Sequence, residues 1–347
     1  MMGFSEKDLI RRIESDIKLQ CNTKDELIPG NLGNSWEPIF LKETGNLINH
    51  DLSINLNVLK NFRKSFVLLV DFPIGRQYLN IRNLLDGQRR GQQKVIKRHW
   101  QIIKEHNYDY LLKRYPCSLV GNPYIYRYNG YSFTWRWIKN VYYAGLFKKI
   151  LAEKIRQDFI IMDIGCGYGI FSYILKNEFQ KSHHVLVDLP QQLVLAHYFL
   201  AKHFPDARIA TYKDIFEVNK IDRNFLNKYD FILIPWHMYT KIEQGSIDVL
   251  TNFVSFAEMG RKYFDYYLKQ EPFLSVKYFF TINRFVSAPT YDNGLTILDY
   301  QLASFRALHF AIFPLVMERY RRSRFFFYKY FPHESQLFEF IGERQKI

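Results

Sequence analysis

Residues 159–169 read Phe-Ile-Ile-Met-Asp-Ile-Gly-Cys-Gly-Tyr-Gly, an apolar run that ends on an acid and three alternating glycines. Glycine lets a strand turn sharply into a helix and lets the backbone approach a ligand closely, which a Cβ atom would block. A dinucleotide site prefers the spacing G-x-G-x-x-G. Here the third glycine comes one residue earlier, so the pattern is D-x-G-x-G-x-G. The segment predicts a strand, a ligand loop of the nucleotide type and the start of a helix.

The rhythm of the chain around this loop predicts the fold class. From residue 159 onward, short apolar runs alternate with helical patterns, which indicates an α/β fold with a doubly wound, mostly parallel sheet. We predict strands at 159–164, 184–188, 207–211, 229–235, 247–254 and 277–283, and helices at 168–178, 191–203 and 258–269. Earlier residues show helical periodicity at 5–20, 88–106 and 135–155 and an apolar segment at 56–70. We therefore predict a mainly helical, basic N-terminal region, residues 1–150, and an α/β domain, residues 151–347.

The positive charge is concentrated in one part of the chain. The net charge is +14, and residues 51–150 carry 18 basic against 5 acidic side chains. Such a surface attracts phosphate or an anionic membrane, although a charge run is also typical of a solvated helix face. The densest basic segment contains Arg89, Arg90, Lys94, Lys97, Arg98 and Lys104, and a second one, interleaved with aromatic residues, contains Arg319, Arg321, Arg322, Arg324 and Lys329.

Cysteine usage and hydropathy exclude several protein classes. Cys21, Cys117 and Cys166 are widely spaced and form neither a disulfide framework nor a CxxC zinc motif. The first twenty residues contain acids and lack the apolar core of a secretory signal. No window reaches the roughly 18 uncharged apolar residues that a membrane-spanning helix needs. We expect a cytoplasmic location, and the basic segments leave peripheral contact with the inner face of the cytoplasmic membrane open.

The glycine loop resembles motif I of class I S-adenosylmethionine-dependent methyltransferases, in which the loop wraps the amino-acid end of the cofactor. Strand 184–188 closes on Asp188, 23 residues after Gly165, about where a carboxylate takes both ribose hydroxyls. In this resemblance Asp214 and Ile215 hold the adenine, and the carboxyl end of strand 229–235 lies beside the methyl group. The resemblance implies S-adenosylmethionine as cofactor and a binding site of Asp163, Gly165, Cys166, Gly167, Tyr168, Gly169, Asp188, Leu189, Asp214, Ile215, Pro235 and Trp236.

A second resemblance concerns the acceptor. Residues 248–259 look like the D-x-x-x-N-x-x-S-F-x-E-M signature of bacterial sugar O-methyltransferases, and residues 121–123, 263–267 and Asn283 also fit that family. The resemblance covers roughly residues 120–285. It implies methyl transfer to a sugar hydroxyl in polysaccharide or glycoconjugate synthesis, with a sugar, a nucleotide-sugar or a lipid-linked glycan as acceptor.

A hydroxyl acceptor needs a base that removes its proton, and two residues are candidates. His237 follows strand 229–235, close to the catalytic His of plant-type small-molecule O-methyltransferases, and its reference pKa of about 6.5 suits a base near neutral pH. Glu258 follows strand 247–254 and could accept a sugar hydroxyl proton. A structural loop histidine and an acid favoured by a helix dipole are the alternative interpretations. Tyr239, Asn252 and Ser255 are the candidate substrate-binding residues.

Other functions are tested at the same positions. An exocyclic-amine methyltransferase has an N/D-P-P-Y/F element after the strand at 229–235, whereas this chain has Ile-Pro-Trp-His at 234–237. A C5-cytosine methyltransferase needs a nucleophilic cysteine in this region, and none is present there. The charge of residues 51–150 favours an RNA O-methyltransferase, but no RNA-binding module is recognisable, so nucleic acid is not the expected partner. A small-molecule O-methyltransferase and a non-catalytic S-adenosylmethionine-binding scaffold remain alternatives. No metal site is expected.

Overall fold

The computed structural model describes residues 5–22, 47–64, 88–123, 125–288, 291, 293–315, 318–322, 328–332 and 336–345. Its helices are α1 (Glu6–Asn22), α2 (Leu56–Lys60), α3 (Gln88–Glu105), α4 (Asp109–Arg114), α5 (Trp135–Leu151), α6 (Ile170–Glu178), α7 (Pro190–His203), α8 (Tyr212–Phe216), α9 (Arg223–Leu226), α10 (Arg261–Leu268) and α11 (Glu271–Leu274). Its strands are β1 (Tyr126–Tyr128), β2 (Tyr131–Phe133), β3 (Ile160–Ile164), β4 (His183–Asp188), β5 (Ile209–Ala210), β6 (Phe231–Pro235), β7 (Val249–Phe253), β8 (Tyr278–Arg284), β9 (Phe305–Ile312), β10 (Glu318–Arg322), β11 (Tyr328–Pro332) and β12 (Leu337–Arg344).

Eight of these strands form one central sheet, in the order β5-β6-β4-β3-β7-β8-β12-β9. The first six are parallel, and β12 lies antiparallel between β8 and β9. Every residue of β3, β6 and β8 is buried, as expected for strands covered on both faces. Helix α7 begins at Pro190, a residue favoured in the first turn. The predicted doubly wound, mostly parallel α/β sheet is confirmed.

The order of the strands corrects one expectation. Strand β6 pairs with β4, and Pro235 lies directly opposite Asp188. Strand β7, not β6, is the neighbour of β3 on its other side. The prediction that the strand at 229–235 ends beside the methyl group is therefore wrong, because β4 separates it from the glycine-loop strand. The strand in that position is β7, which leads into Ser255 and Glu258.

The N-terminal region packs against the sheet domain through a shared apolar core. Buried residues on both sides of residue 150, from Leu9 to Ile341, belong to one hydrophobic cluster. Arg63 is fully buried, donates to the carbonyls of Ser118 and Val120, and stacks over the rings of Trp137 and Tyr168. Tyr168 of the glycine loop is thus held by side chains of the N-terminal region.

The two basic segments are only partly within the described side chains. Lys97, Arg98 and Lys104 on α3 are exposed, and Lys97 lies over the ring of Tyr128. The side chains outside the described residues are those of Arg89, Arg90, Lys94, Arg319, Arg321, Arg322, Arg324 and Lys329. Among the helices that the structure describes, none is both long and apolar enough to cross a bilayer.

The C-terminal strand β12 completes the sheet and fixes helix α5 against it. Glu339 of β12 is buried, and its Oε1 accepts a hydrogen bond from the Tyr142 hydroxyl of α5 at 3.1 Å. The His309 ring of β9 lies 2.7 Å from the same oxygen. Buried carboxylates need such partners, and this set joins α5, β9 and β12 across one face of the sheet. Helix α5 therefore has a fixed position over the sheet, which matters for the site below.

Candidate active site

The glycine loop makes a tight turn between β3 and α6. Gly165, Gly167 and Gly169 have φ values of 74°, 59° and 85°, in the left-handed region that side chains disfavour. A Cβ atom on Gly165 would lie 2.0 Å from the Ser255 Oγ, so the turn also needs glycine for space. Ser255 donates to the carbonyl of Ile164 at 3.2 Å. The end of β7 thus braces the glycine turn directly.

Asp188 lies across this turn at the end of β4. Its Oδ2 accepts the Gly167 amide at 2.8 Å, and its Oδ1 accepts the Leu189 amide at 2.8 Å. Burial raises the pKa of this carboxyl to about 6 despite these two hydrogen bonds. Each oxygen keeps further acceptor capacity, because a carboxylate oxygen has two lone pairs. The group is suited to accept a pair of neighbouring hydroxyls from a ligand on the loop.

Asp163, the last acid of the loop motif, lies deeper than Asp188. It is 4% exposed, and its Oδ1 accepts the Thr251 hydroxyl at 2.8 Å. Burial, together with the charge of Asp188, raises its pKa to about 7. Cys166 lies between the two acids, and burial raises the pKa of its thiol, so it is a neutral small side chain and not a nucleophile.

The carboxyl end of β6 forms the other wall beside Asp188. Pro235 pairs with Asp188, and Trp236 follows it. The Trp236 Nε1 is buried and has no hydrogen-bond acceptor among the described residues. The Oε1 atoms of Gln191 and Gln192 are also buried, and they have no hydrogen-bond donor among the described residues. A buried polar atom without a partner is costly unless a ligand supplies one. These atoms, the glycine turn and Asp188 fit a ligand with an amino-acid group, a ribose and a base.

The acceptor side lies at the ends of β7 and β8. The Glu258 Oε1 accepts hydrogen bonds from the Tyr291 hydroxyl at 3.1 Å and from Arg284 Nη2 at 3.3 Å. Its Oε2 has no hydrogen bond to the described residues. The Glu258 side chain is about one-fifth exposed and that of Arg284 about one-tenth, so this ion pair is largely shielded from bulk solvent. One oxygen of Glu258 is positioned by protein, and the other is open to a substrate.

These features decide the type of fold. Six parallel strands with an inserted antiparallel strand, a three-glycine turn after β3 and an acid at the end of β4 occur together. This is the class I methyltransferase fold.

Solved structures, a methyltransferase among them, align with part of this chain at low identity. YcgJ protein from Bacillus subtilis aligns with 59% of this chain and 99% of its own, at 9% identity and a TM-score of 0.40. Geranyl diphosphate C-methyltransferase from Streptomyces coelicolor, in complex with S-adenosyl-L-homocysteine, aligns with 59% of this chain and 76% of its own, at 13% identity and a TM-score of 0.37. No protein-family model and no curated protein matches the chain.

Several predicted cofactor residues have other roles in the structure. Strand β5 is the outermost strand, so the segment after it does not adjoin β4. Asp214 there accepts the Thr211 amide in a capping box of α8, and Ile215 is fully buried in the core. Tyr168 is buried against Phe62. These three side chains have partners within the protein, so their contacts with the cofactor stay predictions.

His237 and Tyr239 also lie elsewhere than expected. Both belong to the single-turn segment Trp236–Lys241 after β6. At about 4.8 Å per strand, the ends of β6 and β7 are roughly 14 Å apart, so His237 is on the Trp236 side and not beside Glu258. Tyr239 is fully buried, and its hydroxyl donates to the carbonyl of Tyr267. Tyr239 is a core residue, and its assignment to the substrate is corrected.

Asn252 and Ser255 support the loop. Asn252 is fully buried, and its Nδ2 donates to the Ile164 carbonyl at 2.8 Å and to the Ser255 Oγ at 2.6 Å. Its Oδ1 accepts the Phe256 amide and Asn283 Nδ2. Every polar atom of Asn252 is therefore used within the protein, so its assignment to the substrate is corrected to a positioning role. Ser255 is partly exposed and stays a candidate contact.

The sequence analysis missed the residues that α5 contributes. Tyr143 of α5 stacks on Phe253, the last residue of β7, with ring centroids 4.2 Å apart. Lys139 and Arg136 lie one and two turns, respectively, closer to the start of the same helix. Their spacing with Tyr143, at i, i+3 and i+7, puts all three on one face. The sequence therefore indicates that the three residues share a helix face, but nothing in it indicates that α5 crosses the end of β7.

The described residues hold no group of three metal-ligating side chains. The adjacent pair at the start of β4 has structural partners: the His184 Nε2 lies 2.8 Å from the Ser182 Oγ, and the His183 Nδ1 lies 2.6 Å from the carbonyl oxygen of Tyr229.

Proposed function

We propose that this protein is an S-adenosylmethionine-dependent O-methyltransferase that acts on a sugar hydroxyl in glycan or glycoconjugate synthesis. The observation that carries the proposal is the Asp188 carboxylate lying across a three-glycine turn, next to buried polar atoms that lack partners. The cofactor supplies an electrophilic sulfonium methyl group. The glycine turn would hold its amino-acid end, Asp188 its ribose hydroxyls, and Pro235 and Trp236 the space beside its base.

Glu258 is the proposed base. A neutral sugar hydroxyl is a poor nucleophile, and a carboxylate within hydrogen-bond reach can take its proton as the C–O bond to the methyl group forms. The free Oε2 suits this role, and Arg284 and Tyr291 hold the carboxylate through Oε1. The position after β7, the neighbour of the glycine-loop strand, supports Glu258 over His237. The sugar acceptor rests on the resemblance of residues 248–259 to the sugar O-methyltransferase signature.

The test is a methyl-transfer assay with radiolabelled S-adenosylmethionine and the full chain. A nucleotide-sugar pool, extracted glycolipid and total RNA are offered side by side. We expect label in a sugar fraction. Label in RNA alone would overturn the sugar assignment and make the basic residues of 51–150 the substrate platform. Cofactor binding without label in any fraction would favour the scaffold alternative.

Replacing Glu258 with glutamine is expected to lower kcat by about 10²- to 10⁴-fold, the usual contribution of a general base. Glutamine keeps an Oε1 that accepts from Arg284 and Tyr291, but its amide cannot take a proton. The measurement is kcat at saturating cofactor together with the Kd for the cofactor, which should not change. Glu271→Gln, on an exposed glutamate, is the matched control. A kcat within threefold of wild type would exclude Glu258 as the base.

The affinity for the cofactor is expected to fall at acid pH. The free Asp188 carboxyl has a pKa of about 6, and ribose hydroxyls donate to its ionised form, so a proton competes with the ligand. Below pH 6 the Kd should rise by about tenfold per pH unit, and above pH 7 it should be constant with respect to this group. Titration calorimetry between pH 5 and 8 measures this. Asp163→Asn should retain the dependence, since Asp163 is not the ribose ligand.

A further inference from the structure

Helix α5 carries two basic side chains, Arg136 and Lys139, near Glu258. The Lys139 Nζ lies 5.0 Å above the ring of Trp135 and 5.6 Å from that of Phe313. Within the described part of the chain it has no hydrogen bond and no ion pair. The stack of Tyr143 on Phe253 fixes this part of α5 over the end of β7. Lys139 is therefore a cation held in an aromatic surrounding at the acceptor side of the site.

The charges around Lys139 do not balance. Arg136 on the same helix, Arg284 at the end of β8 and Glu258 after β7 all act on it electrostatically, and Arg136 also acts on Asp188. Among the described residues that these interactions connect, three are basic and two are carboxylates. Arg284 is paired with Glu258, so the surplus charge is that of Lys139. Burial and the two arginines lower the pKa of Lys139 to about 7, which is the response of an amine that lacks a counter-ion.

We propose that Lys139, with Arg136 and Arg284, binds a phosphate group of the acceptor, so that the methylated sugar is a phosphate ester. This inference rests on the proposed function for the identity of the acceptor, but the anion site itself does not. A dianionic phosphate supplies the missing negative charge, and arginine and lysine donors suit its oxygens. Glu258 lies in the same cluster, so a sugar held by its phosphate would have a hydroxyl near the free Oε2. A nucleotide-sugar and a lipid-linked sugar phosphate share this chemistry.

The first experiment measures anion binding without cofactor or acceptor. Sulfate is the probe, because it is a dianion that binds no proton near pH 8. We expect calorimetry on the full chain to show sulfate binding that weakens at least tenfold in Lys139→Gln. Lys149→Gln, which changes an exposed lysine on another face of α5, should bind as wild type does. Equal sulfate binding by wild type and Lys139→Gln, or no binding by wild type, would overturn the proposal.

Proton uptake separates a direct contact from a structural effect. At pH 8, Lys139 is mostly neutral, and an anion that pairs with it should raise its pKa so that the protein takes up a proton. Calorimetry in buffers of different ionisation enthalpy measures this uptake. We expect most of one proton in wild type and in Lys149→Gln, and none in Lys139→Gln. Binding without proton uptake in wild type would place the anion away from Lys139.

The second experiment tests the acceptor. Methyl transfer to a nucleotide-sugar, a lipid-linked sugar phosphate and the same sugar without phosphate is compared in wild type and Lys139→Gln. We expect Lys139→Gln to raise the KM at least tenfold for the phosphorylated acceptors only. Which phosphorylated compound is methylated shows whether the acceptor is soluble or lipid-linked. Methylation of the neutral sugar alone would overturn this inference while the proposed function stands. Failure to bind S-adenosylmethionine would overturn the proposed function and leave the sulfate result to decide the anion site.

Discussion

Replacing Asp188 with alanine is expected to weaken binding of S-adenosylmethionine by at least 10²-fold. The side chain is the only carboxylate that reaches the glycine turn from the end of β4 among the described residues, and its Oδ2 already accepts the Gly167 amide. Two hydrogen bonds from ribose hydroxyls to a charged acceptor are worth about 1.5–3 kcal/mol each. Loss of both corresponds to a change in Kd of about 10²-fold or more. Titration calorimetry of the purified full chain measures the effect.

A control must separate loss of the ribose contact from damage to the sheet. Asp248 lies at the opposite end of the same strands, where it accepts the Ile160 amide and pairs with Arg223. Asp248→Asn should lower the free energy of unfolding but leave the Kd for the cofactor unchanged. Asp188→Ala should raise the Kd for the cofactor without lowering the free energy of unfolding, because burial of the carboxylate is itself unfavourable. Near-normal affinity in Asp188→Ala would remove the cofactor assignment.

The strand and helix segments were predictable because apolar runs of strand length alternate with longer apolar segments along the chain. Strand β3 was predicted at 159–164 and spans Ile160–Ile164, and helix α7 was predicted at 191–203 and begins at Pro190. The order of strands in the sheet was not predictable in the same way. The edge strand β5 has only two residues, and nothing in its sequence distinguishes an edge strand from the neighbour of β4. Counting strands along the chain therefore put β6 next to β3, in the place that β7 occupies.

The site was predictable where backbone conformation or an obligatory charge determines the residue. The glycines of the loop and Asp188 are of this kind, since a left-handed turn with close contacts favours glycine and the ribose hydroxyls need an acidic acceptor. Tyr239 and Asn252 were misassigned because polar atoms near a strand end suggest a substrate contact, whereas here both are satisfied within the core. Lys139 was missed because its position depends on how α5 crosses β7, a tertiary contact between distant segments.

Replacing Gly165 with alanine is expected to destabilise the protein by about 2–5 kcal/mol. A φ of 74° costs a side-chain residue about 1–2 kcal/mol, and overpacking adds about 1–3 kcal/mol. The new Cβ would lie 2.0 Å from the Ser255 Oγ. Ser255 cannot turn away freely, because Asn252 donates to its hydroxyl and Ser255 donates to the Ile164 carbonyl. Chemical denaturation measures the free energy of unfolding, and cofactor binding should be lost as well.

Two further variants divide this cost into its parts. Gly245 has a φ of 73° and nothing within 4 Å of an added Cβ, so Gly245→Ala should show only the backbone cost. The double variant Gly165→Ala, Ser255→Gly lacks the serine atoms that clash with the new Cβ. Its loss of stability should therefore be close to that of Gly245→Ala, apart from the contribution of the lost serine hydrogen bonds. If Gly165→Ala costs no more than Gly245→Ala, the loop does not depend on contact with Ser255. The bracing of the glycine turn by β7 would then be a consequence of the fold and not a requirement of the site.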